Sequence, residues 1–183
     1  MADAPALRAD RAGDGAAIRR VHLDAFPTAA EADLVDRLLA QCDERLSFVA
    51  LDGDEIVAHL LLTPAIGRGA GERAEGERAE GEGVPIKGLG LAPLAVLASH
   101  QRRGLGAALT AFGLERARDA GYPFVVVLGH PEYYPRFGFK PASRFGVECP
   151  YPGVPDDTFM LLPLDRAVTA TLDGVIRYRP EFG

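Results

Sequence analysis

The stretch of sequence that decides the fold is PLAVLASHQRRGLGAALTAFGLERARDAG, residues Pro93–Gly121. It opens with Pro93–Leu97, an apolar run of the length expected for a β-strand. After a basic turn the apolar residues recur at helical spacing. One face of this helix carries four of them: Leu105, Ala108, Leu109 and Phe112. Because Gly121 follows at a position suited to a left-handed cap, the stretch predicts a strand, a tight turn and a helix.

The start of the predicted helix has the features of an anion-binding site. No Ser, Thr, Asp or Asn, the usual N-cap residues, stands beside Gly104. Arg102 and Arg103 lie at the positive end of the helix dipole, and Gly104 and Gly106 let the backbone approach a ligand closely. Free N–H groups, low bulk and positive charge suit a phosphate or pyrophosphate. Spacing alone also allows an ordinary turn with solvated arginines.

The spacing of the glycines narrows the kind of phosphate ligand. The turn is not a P-loop, because no Gly-Lys-Ser/Thr follows the glycines. It is not a full dinucleotide fingerprint either, because Leu109 stands where a third glycine is needed. Gln101-x-x-Gly104-x-Gly106 resembles the pyrophosphate-binding signature of the GNAT superfamily of N-acetyltransferases.

A second motif supports the same resemblance. Residues Gly129–Ser143, GHPEYYPRFGFKPAS, are similar to the region after the fifth strand of this superfamily, and both motifs occur in the expected order. The resemblance covers the chain from about Leu7 to Phe182. It implies one domain over residues 1–183 with an α/β (α+β) fold. That fold has a mixed, mostly antiparallel central sheet with a bulged fourth strand, a βαβ unit and flanking helices.

Composition agrees with a globular protein of ordinary size. The 183 residues are 48% hydrophobic and 25% charged, enough for one domain with a sizeable core. A formal net charge of −6 argues against nucleic acid as a partner and suits a cationic amine. Cys42 and Cys149 lack metal or redox spacing, so we expect free thiols and no metal. We expect no signal peptide and no membrane segment, and therefore a cytoplasmic protein.

The N-terminal part predicts a short strand, two helices and a hairpin. Leu7–Ala9 is the candidate strand, one helix ends near Phe26, and the second begins near Glu31. The hairpin strands Leu46–Leu51 and Glu55–Ile66 are joined through the turn Asp52-Gly53-Asp54. We expect His22 to be partly buried or at the surface, and His59 to be a hydrogen-bonded structural residue. The resemblance places Asp24, Phe26 and Glu31 near the acceptor.

The segment that follows predicts a loop and an irregular strand. Residues Gly69–Gly83 contain the tandem repeat GERAE, which cannot bury enough surface to order itself, so we expect a flexible hairpin loop. Val84–Leu97 is the fourth strand, and Pro93 inside it predicts a bulge. The resemblance gives the bulge a use, because the pantetheine arm of the cofactor would pair with exposed backbone there. That backbone belongs to Leu94, Ala95 and Val96.

The C-terminal part completes the sheet. Pro123–Leu128 is a continuous apolar run that suits a buried parallel strand, so strand, helix and strand form a βαβ unit. Glu132–Phe137 fits a short helix. Later strands are predicted at Thr158–Leu164 and Val175–Tyr178.

The resemblance implies acetyl transfer from acetyl-CoA to a primary amine in a ternary complex. The alternative is a non-catalytic acyl-CoA-binding module. The acceptor is a small molecule or a peptide, and a homodimer is compatible with this interpretation. Backbone N–H groups of the turn would bind the pyrophosphate. The turn consists of Gln101, Arg102, Arg103, Gly104, Leu105, Gly106 and Ala107.

The family pattern also points to a general acid. Tyr134 begins a run that resembles the aromatic-x-x-x-Gly-Phe motif, in which tyrosine often protonates the departing thiolate. Tyr133 is the adjacent competitor for this role. The general base stays open between His130, His59, a carboxylate of the first helices and an ordered water, because residues Lys87–Leu97 contain no Asp, Glu or His.

Overall fold

The computed structural model describes residues 5–69 and 83–182. The predicted flexible loop therefore lies almost wholly outside the described residues. The described chain divides into two compact units. The first comprises the residues up to Thr63, Leu91–Asp119 and residues 180–182, and the second comprises Pro64–Gly90 and Ala120–Arg179, in both cases within the described ranges.

Among the described residues, the first unit contains two complete strands, three α-helices and parts of two further strands. Its elements are β1 (Ala6–Ala9), α1 (Gly15–Ala25), α2 (Ala30–Gln41), β2 (Leu46–Asp52), the first part of β3 (Glu55–Gly69), the last part of β4 (Pro85–Val96) and α3 (Leu105–Asp119). Strands β1, β2 and β3 are antiparallel neighbours, with Leu7 opposite Ala50 and Phe48 opposite Leu60. This part of the sheet carries the predicted cofactor turn, which lies between β4 and α3.

Helices α1 and α2 each bury one apolar stripe, as their spacing predicts. Helix α3 packs on β2 and β3 through a glycine. A Cβ atom at Gly113 would lie 2.5 Å from the Leu60 Cδ2 atom, so only glycine allows this close approach. Phe112 of α3 meets Phe48 edge to face, with ring centroids 5.2 Å apart. This packing holds the middle of α3 against the sheet.

The second unit contains the remaining strands. Its elements are the last part of β3, the first part of β4, β5 (Phe124–Leu128), β6 (Lys140–Pro141), β7 (Val147–Glu148), β8 (Phe159–Pro163), α4 (Arg166–Thr169) and β9 (Leu172–Arg177). Strands β4 and β5 are parallel, with Leu89 opposite Val125. Strand β8 is antiparallel to β5 and to β6, β9 is antiparallel to β3, and β7 is parallel to β9. Because α3 connects β4 to β5, the predicted βαβ unit is confirmed.

Two glycines of β4 let aromatic rings close the core of the second unit. A Cβ atom at Gly88 would lie 2.4 Å from the Phe124 ring, and one at Gly90 would lie 2.4 Å from the Tyr178 ring. Phe124 is fully buried in a cluster with residues of β8 and β9. The glycines inside this strand therefore mark close approach, as the sequence indicates.

The fold class is confirmed: a mixed, mostly antiparallel sheet with flanking helices. The helix predicted at Glu132–Phe137 is a shorter 3-10 turn, Tyr134–Phe137. The bulge near Pro93 stays a prediction. Cys42 and Cys149 are both free thiols, the first buried and the second half-buried. None of the described helices has the length and apolar character needed to cross a bilayer.

Candidate active site

The turn between β4 and α3 has an unusual backbone. Arg102 has a φ angle of 59° and Gly104 a φ angle of 83°, so two of its residues are left-handed. A left-handed residue other than glycine is uncommon, and such residues cluster where the backbone serves a function. A Cβ atom at Gly104 would meet no atom within 4 Å, so the φ angle and not crowding favours glycine there. Turns of this kind form concave arrays of N–H groups that bind anions.

The first turn of α3 leaves N–H groups for a ligand. The first helical bond runs from the Ala108 N–H group to the Gly104 carbonyl, at 2.9 Å. In the part of the chain that the structure describes, the N–H groups of Leu105, Gly106 and Ala107 have no protein acceptor. The first turn also contains no acidic residue that would repel an anion. The geometry therefore fits the predicted pyrophosphate site.

Gln101 acts within the protein. Its side-chain Nε2 atom donates a hydrogen bond of 3.1 Å to the carbonyl of Val96, the last residue of β4. The bond ties the turn to the end of the strand across five residues. The sequence motif predicts Gln101 as a site residue but does not predict what its side chain contacts. The structure shows that the side chain bonds to the end of β4, a contact we call the Gln101 brace.

The strand residues predicted to hold the pantetheine arm lie at the end of β4. Ala95 is buried, and Leu94 and Val96 are half-buried. The Leu97 N–H group donates to the Val57 carbonyl of β3 at 2.9 Å, so the end of β4 is held against that strand. The peptide bond between Ala92 and Pro93 is cis.

Helix α1 is bonded to the chain just after β4. The Asp24 carboxylate accepts a hydrogen bond of 2.6 Å from the Ala98 N–H group. This contact joins the last turn of α1 to the short 3-10 turn Ala98–His100. The sequence placed Asp24 only in the general region of the acceptor, because a contact between residues 74 positions apart leaves no local signal.

Three polar side chains form a buried chain of hydrogen bonds in the first unit. The His22 Nε2 atom lies 2.8 Å from the His59 Nδ1 atom, and the His59 Nε2 atom lies 3.0 Å from the Ser47 hydroxyl oxygen. Both histidines are completely buried. The hydrogen-bonded role expected for His59 matches this geometry, but the expected partial exposure of His22 is wrong, because α1 packs this face against the sheet.

Burial keeps both imidazoles uncharged. It lowers the pKa of His22 from 6.5 to about 4, although the Asp36 carboxylate opposes the shift. Burial also lowers the pKa of His59 well below 6.5, reinforced by repulsion from His22 and Arg45. Both ring nitrogens of His59 already take part in hydrogen bonds, so it could contact a substrate as the base only by giving one up.

The second unit contains the candidate acid. Tyr134 is buried, and its ring packs so closely on Gly129 that a Cβ atom there would lie 2.3 Å from the ring. Burial raises the pKa of the Tyr134 phenol above its usual value of 10.0, so it is protonated at neutral pH. The competitor Tyr133 has the Arg136 guanidinium 4.8 Å from its ring centroid. The Tyr133 hydroxyl is buried and has no hydrogen-bond partner among the described residues.

His130 lies at the mouth of a cavity beside these tyrosines. The cavity has a volume of about 370 Å³ and is lined by His130, Pro131, Glu132, Tyr133 and Arg136. His130 is exposed, whereas His22 and His59 are completely buried. Within residues 5–69 and 83–182, no group of His, Cys, Asp and Glu side chains is placed to hold a metal ion.

Comparison with known proteins identifies the family. The model of the acetyltransferase (GNAT) family matches residues 16–139. The chain is 38% identical over 170 residues to the uncharacterized N-acetyltransferase YjhQ of Escherichia coli K12, covering 90% of this chain and 86% of that protein. It is 29% identical over 174 residues to the uncharacterized N-acetyltransferase YhbS of the same strain, and the match covers 94% of this chain and 93% of that protein. The chain belongs to the GNAT family of acetyltransferases.

Two crystal structures support the same conclusion. E. coli YhbS in complex with CoA has a TM-score of 0.82 at 26% identity, covering 100% of this chain and 95% of that chain. A GNAT family acetyltransferase from Brucella melitensis in complex with acetyl-CoA has a TM-score of 0.72 at 27% identity, covering 98% and 99%. The predicted class, an acetyl-CoA-dependent acyltransferase, is confirmed at the level of the family.

Proposed function

We propose that this protein transfers an acetyl group from acetyl-CoA directly to a primary amine in a ternary complex. The observation that carries the proposal is the turn before α3. Two left-handed residues, the three open N–H groups of Leu105–Ala107 and the Gln101 brace together form a site for a pyrophosphate. That the relatives YhbS and the Brucella protein were crystallised with CoA and acetyl-CoA supports this assignment.

The donor is held by backbone in this proposal. The pyrophosphate binds to open N–H groups in the turn of residues 101–107, and the pantetheine arm pairs with the backbone of Leu94, Ala95 and Val96. An N–H group of this strand polarises the thioester carbonyl, as an oxyanion hole does. Arg102 and Arg103 are exposed and add positive charge beside the anion.

The transfer forms one bond and breaks another. The lone pair of the amine nitrogen attacks the thioester carbon, and the tetrahedral intermediate collapses with loss of the CoA thiolate. The nitrogen gives up a proton to a base or to water, and the thiolate takes one from the general acid. Because burial disfavours a thiolate as well as a phenolate, the raised pKa of Tyr134 does not by itself exclude it as this acid.

The acceptor side is the less specific half of the proposal. Asp24, Phe26 and Glu31 stand at the end of α1 and the start of α2, the region that borders the acceptor in this family. The net charge of −6 favours a cationic acceptor, such as a small amine or a peptide. We further propose that the enzyme works in the cytoplasm, where acetyl-CoA is available, and that residues 1–183 act as one catalytic domain.

The release of CoA thiol tests the proposal. The protein is incubated with acetyl-CoA and one of four probes: spermidine, kanamycin, a peptide with a free N-terminal alanine, or a lysine peptide blocked at its N-terminus. We expect thiol release that depends on the amine, with a matching acetylated product in the mass spectrum. Tight binding of CoA without amine-dependent turnover on any probe would instead support the non-catalytic acyl-CoA-binding module.

A further inference from the structure

The hydrogen-bond chain Ser47–His59–His22 ends at the Nδ1 atom of His22, which we call its open end. The proposed reaction assigns no role to this atom. The His22 Nδ1 atom is sealed from solvent and has no hydrogen-bond partner among the described residues. Leaving a buried polar atom unpaired destabilises the fold by the lost hydration of that atom, and each such atom in a folded protein calls for an explanation. A ligand or a water that bonds to Nδ1 would remove this cost.

The chain fixes what Nδ1 can offer. Each neutral imidazole carries one N–H group. If the Ser47 hydroxyl donates to His59 Nε2, both histidines carry their proton on Nδ1. The Nδ1 atom of His22 is then a donor. If the Ser47 hydroxyl instead accepts from His59 Nε2, both histidines carry their proton on Nε2. The Nδ1 atom of His22 is then an acceptor. Rotation of one hydroxyl, with a change of tautomer, therefore sets the hydrogen-bonding character of the open end without any net charge.

Three contacts connect helix α1 and the two histidines to the end of the proposed acyl-transfer strand. The His22 ring stacks parallel to Phe26, the first residue after α1, with centroids 5.9 Å apart. The same end of α1 is bonded through Asp24 to Ala98, two residues beyond Val96. His59 lies two residues along β3 from Val57, whose carbonyl bonds to Leu97. Because β3 and β4 are adjacent, His59 is level with the last residues of β4.

We propose that His22 Nδ1 binds the reacting nitrogen of the amine acceptor, with His59 and Ser47 as positioning residues that hold the ring and its tautomer. The inference rests on the proposed function. In this arrangement Nδ1 accepts a hydrogen bond from the uncharged amine and orients its lone pair. Phe26 stacks on the ring and is half-buried in the connection after α1, and in this proposal its side chain turns aside for the acceptor.

Two substitutions distinguish the effect of losing Nδ1 of His22 from the effect of losing Nε2. His22→Gln places an amide near the position of Nε2, which keeps the bond to His59 but removes Nδ1. His22→Asn places an amide near Nδ1 but leaves the His59 nitrogen unpaired. We expect His22→Gln to keep the Tm and the KM for acetyl-CoA near wild type while the KM for the acceptor rises about tenfold, with kcat less affected. His22→Asn should show the reverse: a lower Tm and a smaller rise in acceptor KM.

The acceptor is whichever of the four probes gives turnover with the wild-type enzyme. An unchanged acceptor KM in His22→Gln, or equal losses in both variants, would overturn the inference and leave a purely structural chain. If neither variant folds, ¹⁵N-histidine NMR of the wild type decides. A shift of the His22 Nδ1 signal on adding the probe to the CoA complex supports the inference, and no shift refutes it. Absence of thiol release by the wild type itself would mark failure of the proposed function instead.

Discussion

Single residues of the predicted motifs differ in how they serve the site. Gln101 contacts its own strand, His59 contacts two protein side chains, and Tyr134 is buried against Gly129. The turn would contact a ligand through backbone N–H groups, among them those of Leu105, Gly106 and Ala107. Single substitutions can therefore test separately whether the turn binds CoA and whether a tyrosine hydroxyl supplies a proton.

Tyr134→Phe tests the proposed general acid. Removing the hydroxyl removes the proton donor but keeps the ring that packs on Gly129 and Phe139. We expect kcat to fall roughly 10²-fold, the lower end for a positioned acid, with CoA affinity within a few-fold of wild type. Tyr133→Phe is the matched control in steady-state assays. Loss of turnover in Tyr133→Phe alone would move the role to that residue, and full turnover in both would exclude either phenol.

Gly106→Val tests the anion site. The branched side chain would crowd the first turn of α3, where a pyrophosphate must approach the backbone. We expect the Kd for CoA to rise more than tenfold, about 1.4 kcal/mol, by calorimetry on the folded variant. Gly15→Val is the control, because Gly15 begins α1 and a Cβ atom there meets nothing within 4 Å. Equal CoA affinity in Gly106→Val and the wild type would contradict the assignment.

At the scale of elements, local patterns in the sequence predicted most of the first unit. Helix α3 begins at the predicted residue, because its apolar spacing and the following Gly121 are both local signals. The strands β6 and β7 have only two residues each, too few to show a period. The chain from His22 to Ser47 was missed for another reason, since it joins α1, β3 and β2 through tertiary packing that no window of sequence contains.

The brace between the turn and β4 gives a prediction at this scale. Gln101→Ala removes the donor to the Val96 carbonyl, and Gln101→Glu replaces it with a negative group that repels both the carbonyl and a pyrophosphate. A net hydrogen bond is worth about 1 kcal/mol, so we expect Gln101→Ala to weaken CoA binding about fivefold. Gln101→Glu should weaken it further. Titration calorimetry that finds Gln101→Ala equal to wild type would show that the brace is dispensable.

At the scale of the whole molecule, the buried histidines make stability depend on pH. Their folded pKa values lie below the unfolded value of 6.5, so the unfolded chain binds more protons as the pH falls. Stability is therefore complete above pH 6.5 and is lost toward about pH 4. Each histidine contributes a slope on the order of 1 kcal/mol per pH unit in this window.

Urea unfolding at a series of pH values measures this slope. His22→Gln removes one of the two titrating groups and should flatten the profile between pH 6.5 and about 4 relative to wild type. Asp36 and Arg45 are the charged groups that act on the pair, with opposite signs. A variant as sensitive to acid as the wild type would show that other groups govern the acid transition.

The proposed function depends most on direct transfer from acetyl-CoA to an amine. Mass spectrometry of protein and amine, after incubation with ¹³C-labelled acetyl-CoA, measures this in one experiment. Direct transfer predicts label on the amine when all three components are present, and no labelled protein when the amine is withheld. A labelled protein that forms without amine and then passes its acetyl group on would contradict direct transfer, and unlabelled amine throughout would contradict the proposed activity.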